Sequence, residues 1–247
     1  MREHDLPEVL RRPLEDVVLN MWTVLEEAQN FQGVTPFLNR LIEVPDVRFI
    51  DKSFQKLYST ALITLPSDDG FLTPAGRFVS ALPLDLPLGR MVSYGVLLGV
   101  PAEAIVMAAS VSLSRPHPYR MASTIFLDPD RYNEQIRNKF LSEVHYDQGD
   151  YSEPIALIRL LLDWRELGSD KERYHFCHYN NLQFGVMKQF DSTVVSLVDH
   201  LLRFQKTLCP TAKRVNIDCI GSMSANTVNT LRLIMVWSFP DNILNLD

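Results

Sequence analysis

Apolar residues recur at helical spacing through most of this 247-residue chain. Residues 8–29 place an apolar position every three to four residues, which is typical of an amphipathic helix. Shorter segments near 35–42 and 51–62 follow the same spacing, and Thr35 and Asp51 are their predicted N-caps. The pattern therefore predicts three helices in the first quarter of the chain.

The segment ALITLPSDDGFLT, residues 61–73, interrupts this helical spacing. Two short apolar runs flank a polar turn, which predicts a small β-hairpin with Gly70 at a positive φ. Three helices followed by a hairpin are the outline of a winged-helix domain, which we expect over residues 1–88.

Prolines divide the next stretch, LTPAGRFVSALPLDLPLGRM (72–91), into short helices. Thr73 followed by Pro74 is a helix start signal, because the first helical residue needs no hydrogen-bonded N–H. Pro83 ends that helix, since the residue before a proline is pushed out of the helical region. Similar helix start and stop signals continue along the chain and predict a compact helical domain over 89–206.

The second half of the chain contains the longest predicted helix and a tail whose pattern is ambiguous. A short helix that Asp170 caps precedes the longest helix, which we expect from about residue 182 to 204. The tail, residues 207–247, is ambiguous between strand and helix. The fold class is therefore predicted to be mainly α.

Composition describes a globular protein with an acidic balance. Hydrophobic residues make up 46%, charged residues 22%, and the net charge is -6. A nucleic-acid surface would therefore have to be a local patch. Three cysteines are too few for a disulfide framework, which predicts an intracellular protein, nuclear or cytoplasmic. Pro101 and Glu103 interrupt the most apolar stretch, so no membrane partner is expected.

Motifs for catalysis and metal binding are missing from the sequence. A phosphate-binding loop needs Gly followed by Lys, and that pair does not occur. His175, Cys177 and His178 suggest a zinc site, but four ligands must converge and Cys177 would point away from the histidines. We therefore expect no catalytic residue, no cofactor and no metal on this chain.

Six segments follow one another in a distinctive order: PEVLRRPLEDVVL (7–19), LTPAGRFVSALPLDLPLGRM (72–91), AIVMAASVS (104–112), SEPIALIRLLLDW (152–164), FCHYNNLQ (176–183) and LIMVWSFPDNIL (233–244). Their order and spacing resemble the C-terminal region of DEAH-box (DEAH/RHA) RNA helicases. Pro154 and Gly185 depart from that pattern, because the family usually has His and Arg there.

The resemblance implies a fold and a function for each part of the chain. Residues 1–88 would form a winged helix, 89–206 a helical ratchet (helicase-associated) domain, and 207–247 a linker with the truncated start of an OB-fold. The chain would be a non-catalytic accessory region of an ATP-dependent RNA helicase. Its Walker A and DEAH motifs are missing, so we expect no ATP hydrolysis by this chain alone.

The same resemblance implies the partners. They would be single-stranded RNA, the RecA-like domains of a longer parent chain, and a glycine-patch type activator protein. ATP and Mg would bind to those RecA-like domains, outside this chain.

Five residues are predicted RNA contacts. Arg115 and Arg120 lie in SRPHPYR, where basic residues alternate with an aromatic residue that can stack a base. Asn180, Gln183 and Lys188 open the long helix, which by resemblance faces the RNA path. A solvated connector and helix-end capping are the alternative interpretations of these residues.

Two other functions stay open at this point. A protein-interaction module, binding an activator on the winged helix, fits the acidic balance. A winged-helix DNA-binding regulator would use the helix near 51–62, which carries only Lys52 and Lys56 and also bears Asp51.

Overall fold

The computed structural model describes residues 13–28, 33–42, 44–113, 117–120 and 128–243. Within these ranges the chain forms eleven α-helices and two short 3-10 turns, and β pairing is limited to two isolated bridges. The predicted mainly-α class is confirmed. The chain divides into two compact units, Met1–Ser93 and Tyr94–Asp247, and the three-domain division stays a prediction.

Unit 1 is organised around its first helix, which contacts the three that follow. Trp22 on this helix meets Phe54 edge-on, with ring centroids 5.7 Å apart, and both side chains are buried. Burying such side chains stabilises the unit by about 2 kcal/mol each. The helices are α1 (Leu14–Glu27), α2 (Val34–Leu38), α3 (Val47–Ser59) and α4 (Pro74–Ser80), and α5 (Leu86–Leu97) contains the boundary between the units.

The N-caps of α2 and α3 are not the predicted residues. Asp46 caps α3, because its carboxylate accepts a hydrogen bond from a first-turn backbone N–H at 2.9 Å, and Asp51 lies inside the helix. Helix α2 begins one residue before Thr35, where the carboxylate of Asp68 accepts from the Val34 N–H at 2.6 Å. A cap supplied by a residue so distant along the chain has no local sequence signal.

The predicted hairpin is reduced to one antiparallel bridge between Ile63 and Leu72. Gly70 does not have the positive φ that we expected. Instead, a Cβ at Gly70 would lie 2.9 Å from the Leu65 carbonyl oxygen, so close backbone approach explains the glycine. The winged-helix assignment stays a prediction.

The proline-punctuated stretch folds as predicted. The Thr73 hydroxyl accepts from the Gly76 N–H at 3.0 Å, and Pro74 is the first residue of α4. At the start of α5, the Leu86 N–H donates to the Asp16 carboxylate on α1 at 3.0 Å. The helix starts in this region are therefore held partly by local caps and partly by α1.

Unit 2 is built around α6, which is buried along most of its length. Helices α8 and α10 pack against α6, and α7 packs against α8. None of the helices among the described residues has the length and apolar character needed to cross a bilayer. The helices are α6 (Pro101–Ser112), α7 (Pro129–Asp147), α8 (Glu153–Glu166), α9 (Asp170–Tyr179), α10 (Phe184–Leu208) and α11 (Ala225–Ser238).

The ambiguous tail forms a helix. Helix α11 begins after Ser224, whose hydroxyl accepts from the Thr227 N–H at 3.1 Å. The 3-10 turns Ile217–Cys219 and Pro240–Asn242 flank it. No strand occurs in the described part of this tail, and the predicted start of an OB-fold stays a prediction.

Candidate nucleic-acid interface

Two short segments, residues 117–120 and 180–183, lie side by side where α9 gives way to α10. An antiparallel bridge between Tyr119 and Leu182, made by two backbone hydrogen bonds of 2.8 Å, joins them. This pair of segments is termed the α9–α10 corner. It ties the connector before α7 to the start of the longest helix.

Three of the five predicted RNA contacts lie in this corner. Arg120 is exposed, and its Nε donates to the Leu182 carbonyl at 3.0 Å. The Gln183 amide donates to the His117 carbonyl at 2.9 Å across the corner. Asn180 is buried, and its amide donates to the backbone carbonyl four residues earlier at 3.0 Å. Arg120 and Gln183 therefore join the two segments of the corner and Asn180 closes the end of α9, whereas the contact of these side chains with RNA stays a prediction.

Lys188 lies beyond the corner, on the second turn of α10. Its ammonium is 2.6 Å from the Asp170 carboxylate on α9 and 4.8 Å from the centre of the Phe184 ring. The hydrogen bond from Lys188 lowers the pKa of the Asp170 carboxyl. The fifth predicted contact, Arg115, lies outside the described residues.

Helix α9 starts with a capping box that leaves Asp170 available for this ion pair. The Ser169 hydroxyl accepts from the Glu172 N–H at 3.2 Å, and the Glu172 carboxylate accepts from the Ser169 N–H at 3.0 Å. The prediction that Asp170 caps α9 is wrong. Asp170 is the first helical residue, and its carboxylate binds Lys188 across the two helices.

Aromatic and cationic side chains that the sequence analysis did not single out surround Lys188. Tyr174 meets Phe184 edge-on at 5.8 Å, and the Arg173 guanidinium lies 4.5 Å from the Trp164 ring. The sequence does contain a feature that places Tyr174 near this ion pair: Tyr174 follows Asp170 by four residues and therefore lies on the same face of α9. The surface at the start of α10 therefore combines the exposed ring of Tyr174 and the half-buried ring of Phe184 with the ammonium of Lys188, and rings beside cations are what single-stranded nucleic-acid sites use.

Gly185 occupies an open position on the first turn of α10. A Cβ placed there would meet no atom within 4 Å. DEAH-box helicases usually have Arg at this position, and in this protein the position has room for a long side chain.

The histidines and cysteine near the end of α9 do not converge on a metal. Cys177 is buried, whereas His175 and His178 are exposed. Burial raises the pKa of the Cys177 thiol to about 11, which disfavours the thiolate that binds zinc. Within the ranges that the structure describes, no cluster of three or more His, Cys, Asp or Glu side chains could hold a metal ion.

Two of the three basic side chains of α3 pair with carboxylates, and the third, Lys52, lies 5.8 Å from the centre of the Phe49 ring. The Lys56 ammonium lies 2.5 Å from the Glu15 carboxylate, and the Arg48 guanidinium lies 2.7 Å from Asp46. Reading DNA would require these cations to face phosphates or base edges. These ion pairs are largely exposed and each is worth about 1 kcal/mol or less, so they do not by themselves prevent α3 from binding phosphate.

No protein-family model matches the chain. Among curated proteins it is 25% identical over 190 residues to the DExH-box ATP-dependent RNA helicase DExH3 of Arabidopsis thaliana, covering 77% of this chain and 14% of the relative. It is 20% identical over 245 residues to the ATP-dependent RNA helicase dhx29 of Xenopus laevis, covering 98% and 16%. It is 23% identical over 220 residues to the ATP-dependent DNA/RNA helicase DHX36 of Rattus norvegicus, covering 87% and 20%.

These similarities confirm the resemblance that the six sequence segments indicated. They extend over most of this chain, and the chain spans a fifth or less of the length of each relative named above.

Proposed function

We propose, from the homology of this chain to DExH-box ATP-dependent RNA helicases, that it is a non-catalytic accessory region of such an enzyme. The observation that carries the proposal is the match of helicase relatives to between 67% and 98% of the chain. In this proposal ATP and Mg bind to RecA-like domains of a longer parent protein. The protein would act inside the cell, in the nucleus or the cytoplasm.

Unit 2 would form one wall of a channel for single-stranded RNA. The start of α10 supports this assignment, because Lys188 and the rings of Phe184 and Tyr174 lie together there. An exposed ion pair is worth about 1 kcal/mol or less. Lys188 can therefore exchange the Asp170 carboxylate for an RNA phosphate at little cost.

Unit 1 would transmit movement from the motor domains. In the proposed cycle, ATP-driven opening and closing of the RecA-like domains displaces the winged-helix region, and unit 2 shifts its hold on the strand. The RNA contacts would be phosphate contacts and stacking, which do not depend on base sequence.

Substitution of Gly185 tests the channel at an open position. We expect Gly185→Arg to tighten binding of a fluorescent oligouridylate about fivefold at low salt, because one more cation faces the strand. The slope of log affinity against log salt should steepen by about 0.7. Gly185→Ala is the matched control and should leave affinity unchanged, whereas Gly185→Glu should weaken it.

The same binding measurements can contradict the proposed channel. If the Arg and Glu variants bind oligouridylate equally well, or if no variant binds it, then the start of α10 does not face RNA. Circular dichroism of each variant would show that the helix content is unchanged.

Neither an activator-binding module nor a DNA-binding regulator is favoured for unit 1. The relatives are named as helicases, and no observation on the described residues supports a glycine-patch activator.

A further inference from the structure

A groove of about 790 Å³ lies in unit 2 between α7, α8 and the loop that connects them. Its floor includes Ala156 and Leu157 of α8, and its walls include Phe140 and Val144 of α7. The volume falls in the range of sites that enclose several large side chains or a small ligand.

Three large apolar side chains of this groove face solvent. Phe140 is 62% exposed, Val144 is 69% exposed and Tyr151 is 94% exposed. Phe140 and Val144 are four residues apart and therefore form a ridge on one face of α7. Contiguous exposed apolar surface of this kind marks interaction sites in soluble proteins.

The loop holds Tyr151 in an unfavourable backbone conformation. Its φ is 51°, in the left-handed region that bulky residues rarely adopt. The two carboxylate oxygens of Asp147 accept from the Gly149 N–H at 3.2 Å and the Ser152 N–H at 3.0 Å, which fixes the loop on both sides. Strain of this kind, combined with nearly complete exposure, is typical of functional positions.

The charged side chains of the groove carry an excess of negative charge. Three carboxylates, those of Glu143, Asp147 and Glu153, line it together with one lysine, Lys139, and one histidine, His117. Lys139 lies 3.6 Å from Glu143, and His117 pairs with Glu153. An RNA backbone would be repelled here, whereas a cationic partner would be attracted.

We propose that this groove binds an amphipathic helical segment of a partner protein, with large apolar side chains flanked by Lys or Arg. A groove between two helices, with an apolar ridge on one wall, suits a helix that inserts anchors at i, i+3 or i+4, and i+7. The exposed ring of Tyr151 would close over one of these anchors, since aromatic residues dominate the energetics of such interfaces. The acidic rim would select the flanking charges.

A displayed library of helical peptides tests the proposal on the full 247-residue chain. The probe varies large apolar residues on one face and allows Lys, Gln or Glu at the flanking positions. Selection should enrich apolar anchors with Lys flanks over Glu flanks, and an enriched synthetic peptide should bind more weakly as salt is raised.

Two pairs of variants assign the binding to the groove. Tyr151→Gly removes the ring and relaxes the backbone, so the protein stays folded while peptide affinity falls at least about tenfold. Gln148→Gly is its matched control, because Gln148 has a φ of 53° in the same loop but does not line the groove. Val144→Glu should abolish binding, and Tyr179→Ala, an exposed ring outside the groove, should not change it.

Three outcomes would overturn the proposal. Enrichment of no helix, or of acidic flanks only, would remove the charge complementarity. An unchanged affinity of the enriched peptide for Tyr151→Gly and Val144→Glu would place its binding elsewhere. Displacement of the peptide by oligouridylate would make the groove part of an RNA site.

Discussion

Asp16 is a carboxylate that the fold withdraws from water. Burial raises the pKa of its carboxyl, and the hydrogen bond from the Leu86 N–H partly offsets that effect. The residue is unremarkable in the sequence, where it is one of the acidic positions in the first turn of α1. Its environment arises only when the start of α5 packs against α1.

The pH dependence of stability should report this burial. Because the folded-state pKa of Asp16 is raised above the value of 3.8, its contribution to stability is fully present below that pH and is lost as pH rises through the folded pKa. Asp16→Asn keeps an acceptor for Leu86 without the charge. We therefore expect the stability of the variant relative to wild type to increase as the pH is raised above about 4, measured by urea unfolding.

Asp69→Asn serves as the control for that comparison, since it removes an exposed carboxylate. Equal pH profiles for wild type and Asp16→Asn would contradict the assigned burial.

The left-handed backbone of Tyr151 has a cost that can be tested. Tyr151→Gly removes the left-handed strain but adds the unfolded-state entropy of glycine, so the free energy of unfolding should stay the same or rise by up to about 1 kcal/mol. Thermal and urea unfolding measure it. A clear loss of stability would show that the ring packs within the folded chain, contrary to its exposure.

Helix α4 packs through a glycine against the non-helical segment that precedes it, and this contact is a property of the two elements. A Cβ at Gly76 in α4 would clash with the Leu62 carbonyl oxygen, which belongs to the segment that precedes the single β-bridge. Helix propensity alone favours Ala over Gly at any exposed helical position. At Gly76 packing therefore disfavours the alanine that helix propensity favours. At Gly185 it does not, because a Cβ there would meet no atom within 4 Å.

Alanine should consequently have opposite effects on the two helices. Gly76→Ala is expected to lower the free energy of unfolding by about 2 kcal/mol, because backbone must move. Gly185→Ala is expected to raise it by about 0.5 to 1 kcal/mol. Urea unfolding of both variants checks the prediction, and equal signs would contradict it.

The whole molecule is acidic, and this balance limits how it can bind RNA. With a net charge of -6, the chain can attract a phosphate backbone only where cations concentrate locally. The proposed site at the start of α10 offers few cations, with Lys188 next to Asp170. Affinity for RNA should therefore be modest and strongly reduced by salt.

The purified chain should not turn over nucleotide. No Gly-Lys pair occurs to hold the phosphates, so ATP hydrolysis is expected to be undetectable with or without RNA. Phosphate release measured alongside oligouridylate binding checks both properties in one preparation. Hydrolysis that persists through further purification would contradict the assignment as a non-catalytic region.

The sequence by itself determined the mainly-α class, the approximate limits of most helices and the resemblance to RNA helicases. These properties depend on local spacing, on caps such as Thr73 and on motif order, all of which are present in the chain before it folds. The helix in the tail was ambiguous because its apolar run fits strand and helix alike.

Only the tertiary structure decided which side chains meet. Asp68 caps α2 from 34 residues away, and Asp170 pairs with Lys188 across two helices. Asn180 and Gln183 were predicted RNA contacts, but their amides are bonded to backbone carbonyls of the protein. The groove at Tyr151 likewise exists only because α7 and α8 pack together. Distances between residues remote in sequence depend on packing, and no periodicity along the chain encodes them.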